Sequence, residues 1–296
     1  MKIHVCMATN KMWLRFAERA IYDMAIRKNP ETELKFYVLL DAVEDTSELM
    51  KLDAIDGIEI VTESIDLREQ FGDLKNYPYH YIGPFKHMKF LIPELPIFEG
   101  VERVLYIDTD VLVRKDLTEL YTVDLEGKAL GVCRDYYNLL NDRYTKELDE
   151  CETKIESGFA LMDLPKLREV GFVEQCKQAS INASGDVRVI NEVYYPLAKL
   201  LDIKYELPFH EMTDNPLLRD IQHWNTFGKC SYSSLQELID ASVIWHFSGN
   251  KENFFMYIPF MKKVFMLSEK RLVDFLRTGE VMQWKFADDA ELYTFY

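Results

Sequence analysis

The sequence predicts an α/β fold with a mostly parallel central sheet, and three observations carry that reading. Apolar strand-like runs alternate with helical periodicity through the first 60 residues. The connections between them have the length of crossover helices rather than hairpins. Polar clusters recur at the ends of the runs, where open α/β sheets place their ligands.

The elements follow in order. "IHVCMA" (Ile3–Ala8) reads as a buried strand ending at the polar pair Thr9-Asn10. From Met12 to Lys28, Trp13, Phe16, Ala17, Ala20, Ile21 and Met24 fall at amphipathic-helix spacing, and Asn29-Pro30 ends the run. "LKFYVLLD" and "GIEIVT" are the second and third strands, with an acidic helix between them. An aromatic loop, Asn76–Pro84, leads into a short helix, "FKHMKFLIPELP". Next comes "RVLYIDTDVLVRKDL", an apolar strand carrying Asp108-Thr109-Asp110. "KALGVC" and "SGFALMDL" are later strands, the second running into a helix at Pro165. Ser234 with Glu237 has the shape of a capping box before the last strand, "ASVIWHF". There is no internal repeat or low-complexity linker. One continuous domain is expected over residues 1–250, with a helical extension over 251–296.

Composition narrows the function classes. The chain has 296 residues, 48% of them hydrophobic, enough for a sizeable core. Fifty acidic residues against 35 basic ones give a net charge of −15, which argues against a general nucleic-acid surface. The five cysteines are scattered and form no Cys-x-x-Cys pair, so neither zinc nor a disulfide framework is expected. The amino terminus reads as a core strand rather than a signal peptide, and no window is apolar enough to span a bilayer. The expectation is a cytoplasmic, soluble protein.

Asp108 and Asp110 focus the chemistry. Two carboxylates one residue apart on an apolar strand are costly unless something positive sits with them. A phosphohydrolase with an Asp nucleophile would use such a pair, but that class places it near the amino terminus, and 107 residues precede Asp108. A nucleotide-sugar transferase would use the pair to hold a divalent metal against a diphosphate. Hard oxygen ligands suit magnesium or manganese, and an added imidazole favours manganese.

The spaced segments together resemble glycosyltransferase family eight, the retaining family that includes glycogenin and bacterial lipopolysaccharide galactosyltransferases. "VCMATN" is similar to its first strand and nucleotide loop, and "RVLYIDTDVLVRKDLTELY" to its metal-binding segment. "ESGFALMDLPKLR", "DVRVINEVYY" and "HFSGNKENF" resemble three later motifs in the same order. The resemblance implies a single Rossmann-like domain of GT-A type. It also implies transfer of a hexose or pentose from a UDP-sugar to a hydroxyl of a glycan, glycolipid or glycoprotein.

Residue by residue, the resemblance makes Asp108, Asp110 and His246 the ligands of Mn2+ or Mg2+. Ala8, Thr9 and Asn10 fall beside the nucleobase and ribose, although Asn10 also suits a plain turn. Thr109 lies between the ligands, and Ser157-Gly158 match the Ser/Ala-Gly of the family strand. Ser248 and Gly249 would bring backbone close to the phosphates. Asp186 matches the acidic residue at the transferred sugar, and Asn191 keeps that motif's spacing. His87, flanked by Lys86 and Lys89, stands where the family carries Arg; this "KHMK" stretch either meets a phosphate or is a solvated helix face. Glu156 replaces the family Asn, where a carboxylate could stabilise charge at the anomeric carbon or act as a transient nucleophile. The family's closing Lys-Pro-Trp has become Glu252-Asn253-Phe254, or else Lys251 stands for its Lys one residue ahead. These departures admit a second reading, a nucleotide-sugar-binding protein with weak or lost turnover.

The segment from Lys251 to Arg277 carries six basic and three acidic residues interleaved with aromatics. It is expected either to pack on the core as helices or to touch an anionic membrane surface.

Overall fold

The computed structural model describes residues 1–72, 84–135, 155–156, 158–181, 186, 189–208, 220–228, 230–247 and 259–282, the side chains of the last helix from 266 onward. Most of the aromatic loop (residues 76–83), most of the stretch between Cys133 and Cys151, and Ser157, Ser248, Gly249 and Lys251 lie outside the described residues.

Among the described residues, ten strands form two sheets. They are β1 (Lys2–Asn10), β2 (Glu33–Asp41), β3 (Ile58–Ser64), β4 (Arg103–Ile107), β5 (Val111–Val113), β6 (Leu130–Val132), β7 (Phe159–Asp163), β8 (Ala198–Leu200), β9 (Leu207–Pro208) and β10 (Ile244–His246). The large sheet has seven strands in the order β3-β2-β1-β4-β7-β6-β8. β1 and β2 pair in parallel through nine residues, Lys2 with Glu33 to Asn10 with Asp41. β7 is antiparallel to both β4 and β6, while the other neighbouring pairs are parallel, so one strand runs against the rest. Val5, Cys6, Met7, Phe36, Val38 and Leu39 are fully buried whichever face they point to, because helices cover both sides.

The expected strand through the paired aspartates is two strands in two sheets. β4 ends at Ile107, and the chain leaves the large sheet at Asp108. It re-enters structure as β5, in a small sheet ordered β5-β10-β9. The apolar run continues through this break because Val111, Leu112 and Val113 enter the same core as Leu105 and Ile107. Asp108 and Asp110 are therefore not two positions on one extended strand; they sit on the turn that joins the sheets.

Two backbone hydrogen bonds fix that turn. The Asp108 amide donates to the Gly158 carbonyl at 2.7 Å, just before β7, and the Phe247 amide donates to the Asp110 carbonyl at 2.9 Å, just after β10. Helix α1 (Leu14–Arg27) covers the sheet, and its buried Asp23 accepts from Arg27 at 2.7 Å and from Ser268 of the last helix, Pro259–Thr278, at 2.5 Å. That helix also buries Leu272 and Phe275, with the Phe275 ring 5.3 Å from that of Tyr22. Arg271, one of the residues that gave the segment its basic character, points inward and is 9% exposed. This part of the helix packs on the core. Among the described residues no helix is long and apolar enough to cross a membrane.

Candidate active site

Three of the expected residues converge. Asp108, Asp110 and His246 offer ligand atoms that all lie within 4.8 Å of one another. His246 Nε2 is 3.4 Å from an Asp110 oxygen. Asp110 and His246, 136 positions apart in sequence, meet because β10 pairs with β5, His246 opposite Val111, and so returns directly beside the aspartate turn. Two carboxylates and one imidazole within that radius fit a single hard divalent cation of the magnesium or manganese type.

Asp108 is further held by the Tyr106 hydroxyl, which donates to its Oδ1 at 2.6 Å. Burial pushes the Asp108 carboxyl above its ordinary value; Lys89 opposes that shift and Asp110 reinforces it. A cation between the two carboxylates removes their mutual repulsion. Thr109 is buried between them.

A second charged group lies alongside. The Lys89 ammonium is 3.2 Å from Asp186 and is 1% exposed. It also sits over the ring of Tyr106, 5.8 Å from its centroid. Burial disfavours the Asp186 carboxylate, but Lys89 and then Lys86 overcome this and hold it well below the usual carboxylate range. Lys86 is itself held charged: burial works against it, and Asp186, Asp108, Asp110 and Glu156 together raise its pKa. The stretch "KHMK" is thus a 3-10 turn facing the acidic cluster rather than a solvated helix face. His87 packs edge-on against Phe71 and Phe90, and burial pushes its pKa down to about 4. It is a neutral imidazole in an aromatic setting, and Lys89 is the residue of the turn that meets Asp186.

The remaining expectations divide. Ala8 and Thr9 are buried at the end of β1. Asn10 Oδ1 accepts from the Met12 and Trp13 amides at 3.0 and 3.2 Å, so its carboxamide forms the turn that starts α1. Asn191 lies in the π-helical turn Ile190–Tyr194, tied to Asp186 by the Ile190 amide donating to the Asp186 carbonyl at 2.9 Å. The Glu156 amide donates to the Cys133 carbonyl at 3.0 Å, and the Glu156 carboxylate falls within 4.8 Å of His246 and of Glu206.

Glu206 and Tyr106 were not singled out by their sequence context, and Lys89 was named only as part of the "KHMK" stretch. Glu206 is 2% exposed, and one of its oxygens lies 2.9 Å from His246 Nδ1. Burial raises the Glu206 carboxyl, and the adjacent His246 opposes that shift. Burial disfavours the charged form of His246 as well, but Asp110 and Glu206 outweigh it and raise the imidazole well above its ordinary value. Gly158 makes this contact feasible: a Cβ there would collide with the His246 ring and lie 2.7 Å from Glu206 Oε1. The available signal was a charged residue inside an apolar stretch, "IKYELP" for Glu206 and "HMKFLI" for Lys89.

With this geometry in place, comparison with known proteins defines the class. Residues 4–251 match the description "Glycosyl transferase family 8", and the chain belongs to that family. An Arabidopsis thaliana protein named "Probable galacturonosyltransferase 7" is 30% identical over 209 residues, which is 68% of this chain and 32% of that one. The chain spans about a fifth to a third of the length of the first curated relatives it matches. Among solved structures, a galactosyltransferase called LgtC, in complex with donor and acceptor sugar analogues, superposes with a TM-score of 0.59 at 18% identity. The match covers 99% of this chain and 100% of that one. The glycosyltransferase GlyE of Streptococcus pneumoniae gives 0.64 at 14% identity, covering 94% of this chain and 63% of that one. These likenesses establish the GT-A fold.

Proposed function

We propose that the protein is a divalent-metal-dependent, retaining glycosyltransferase. It moves a hexose or pentose from a UDP-sugar to a hydroxyl of a glycan or lipid-linked acceptor. The observation that carries this reading is the convergence of Asp108, Asp110 and His246, from two sheets, on one cation-sized space at the carboxyl end of β4. The names of the Arabidopsis relatives support a hexose-derived donor.

Mn2+ or Mg2+ in that space would supply positive charge against the developing charge of the leaving diphosphate. Asp108, Asp110 and His246 would hold it. Lys86, kept protonated by four carboxylates, adds a second positive charge from the protein itself. Asp186, kept ionised by Lys89, is suited to accept hydrogen bonds from sugar hydroxyls or to orient the acceptor. Glu156 lies on the same rim and presents a carboxylate to the anomeric centre. Retention then follows from attack on the donor's leaving-group face, where the departing phosphate takes the acceptor proton. Ser248, Gly249 and Lys251 complete the phosphate side in this proposal.

A panel of nucleotide sugars with manganese, read by free-nucleotide release, tests the reading. The expected result is release that stops in excess chelator and falls roughly a hundredfold in Asp110→Asn, the loss of about 3 kcal/mol of charge stabilisation. Full activity in chelator contradicts it. Tight donor binding with no product from any donor replaces it with a donor-binding protein.

A further inference from the structure

We infer that Glu206 is a positioning residue that fixes the His246 ring, with a proton on Nδ1 and Nε2 turned to Asp110. This rests on the proposed metal site for its consequence, but not for its geometry. The two ring nitrogens are committed in opposite directions: Nδ1 lies 2.9 Å from Glu206 Oε1, and Nε2 lies 3.4 Å from Asp110 Oδ1. Both side chains are nearly inaccessible, 3% exposed for His246 and 1% for Glu206.

A buried carboxylate without a partner is costly, so its placement needs a compensating contact. Among the described residues, neither Glu206 oxygen has a well-aligned hydrogen-bond donor, and His246 Nδ1 likewise has none; each is the other's charged neighbour at 2.9 Å. The backbone around Glu206 holds it there. Its own amide donates to the Ile203 carbonyl at 3.2 Å, and the next two residues form β9, paired to β10 at Trp245 and His246. Gly158 clears the opposite side, since any side chain at that position would enter the space shared by ring and carboxylate. Three separate segments are thus shaped around one contact. An imidazole that ligates a metal characteristically gives its other N–H to a carboxylate or carbonyl. Removing that partner costs roughly 10- to 100-fold in metal affinity.

The test uses the full chain, Glu206→Gln and Glu206→Leu, with thermal melts to confirm folding. Proton–nitrogen NMR on histidine-labelled protein reads the ring, and calorimetry with manganese alone reads the cation site. In the wild type, a solvent-protected Nδ1 proton of His246 should be seen with and without metal. Glu206→Leu should lose it, and both variants should bind manganese roughly 10- to 100-fold more weakly than wild type at one ion per chain. An Nδ1 proton unchanged in a folded Glu206→Leu overturns the inference. So does a wild type that binds two ions, one of them lost in Glu206→Gln, because Glu206 would then be a ligand. Should the wild type bind no manganese while keeping the Nδ1 proton, the proposed metal dependence falls and the positioning role stands on the NMR result.

Discussion

Asp108 and His246 meet at one point but are held there by unlike means. Asp108 follows β4, which lies between the nine-residue β1 and the five-residue β7 in a sheet of seven strands. His246 ends the three-residue β10, whose partners β5 and β9 contribute three residues and two. The short strands give the small sheet few ladder hydrogen bonds, and buried polar side chains take over part of the work. Arg114 is fully buried, lies 4.1 Å under the Trp245 ring, and donates to the Ile239 carbonyl and to the Ser242 hydroxyl. Trp245 Nε1 donates to the same hydroxyl at 2.8 Å. The large-sheet side of the site is therefore secured by backbone, and the small-sheet side by side chains. Single substitutions far from the chemistry should reach the second side more readily than the first.

The largest expected effect comes from breaking the weaker foundation. Arg114→Ala removes one of the buried donors to the Ile239 carbonyl and to the Ser242 hydroxyl, and opens a cavity under Trp245. It should cost about 3 kcal/mol or more of global stability in urea denaturation. Hydrogen exchange should show residues 243–247 opening before β1 and β2. Uniform loss of protection across both sheets would show that the two sides are not separable in this way.

Acid gives a smaller effect, and it acts on the other side. His87, in the same turn as Lys89, has its pKa lowered by burial from 6.5 to about 4. The unfolded chain therefore binds the proton more readily, and the stabilisation is fully present above 6.5 and declines as pH falls toward 4. The difference is roughly 3 kcal/mol as an upper bound, and the part reached by pH 5 is about 2 kcal/mol. Urea midpoints at pH 7 and pH 5 should converge in His87→Phe relative to wild type. An identical pH dependence in the two proteins would remove His87 as the cause.

The same contrast explains what could be read from sequence. β1 and β2 were legible because their central residues, covered on both faces, are apolar, and their polar ends marked the ligand rim; β3, at the sheet edge, shows buried Ile58 and Ile60 alternating with partly exposed residues. The Asp108–Asp110 motif was legible from its spacing and its apolar setting. The break between β4 and β5 was not, since residues on either side of it enter one core and the hydrophobic pattern runs on unchanged. Nor could the reversed direction of β7 be read, because a buried strand has the same composition in either orientation. Glu206 and Lys89 carry no spacing signature. Each sits in a mostly apolar stretch, and its meaning depends on a partner, His246 or Asp186, that only the fold brings near. Asn10 shows the opposite case: its turn role was one of two readings, and its hydrogen bonds to Met12 and Trp13 supply it.

The most direct test of the central claim is the manganese stoichiometry of the wild type against Asp108→Asn, Asp110→Asn and His246→Ala, measured by calorimetry on folded protein. The account predicts one ion per wild-type chain and at least roughly tenfold weaker binding in each variant, because all three donors share one cation. Undiminished binding in any two of the variants would contradict it.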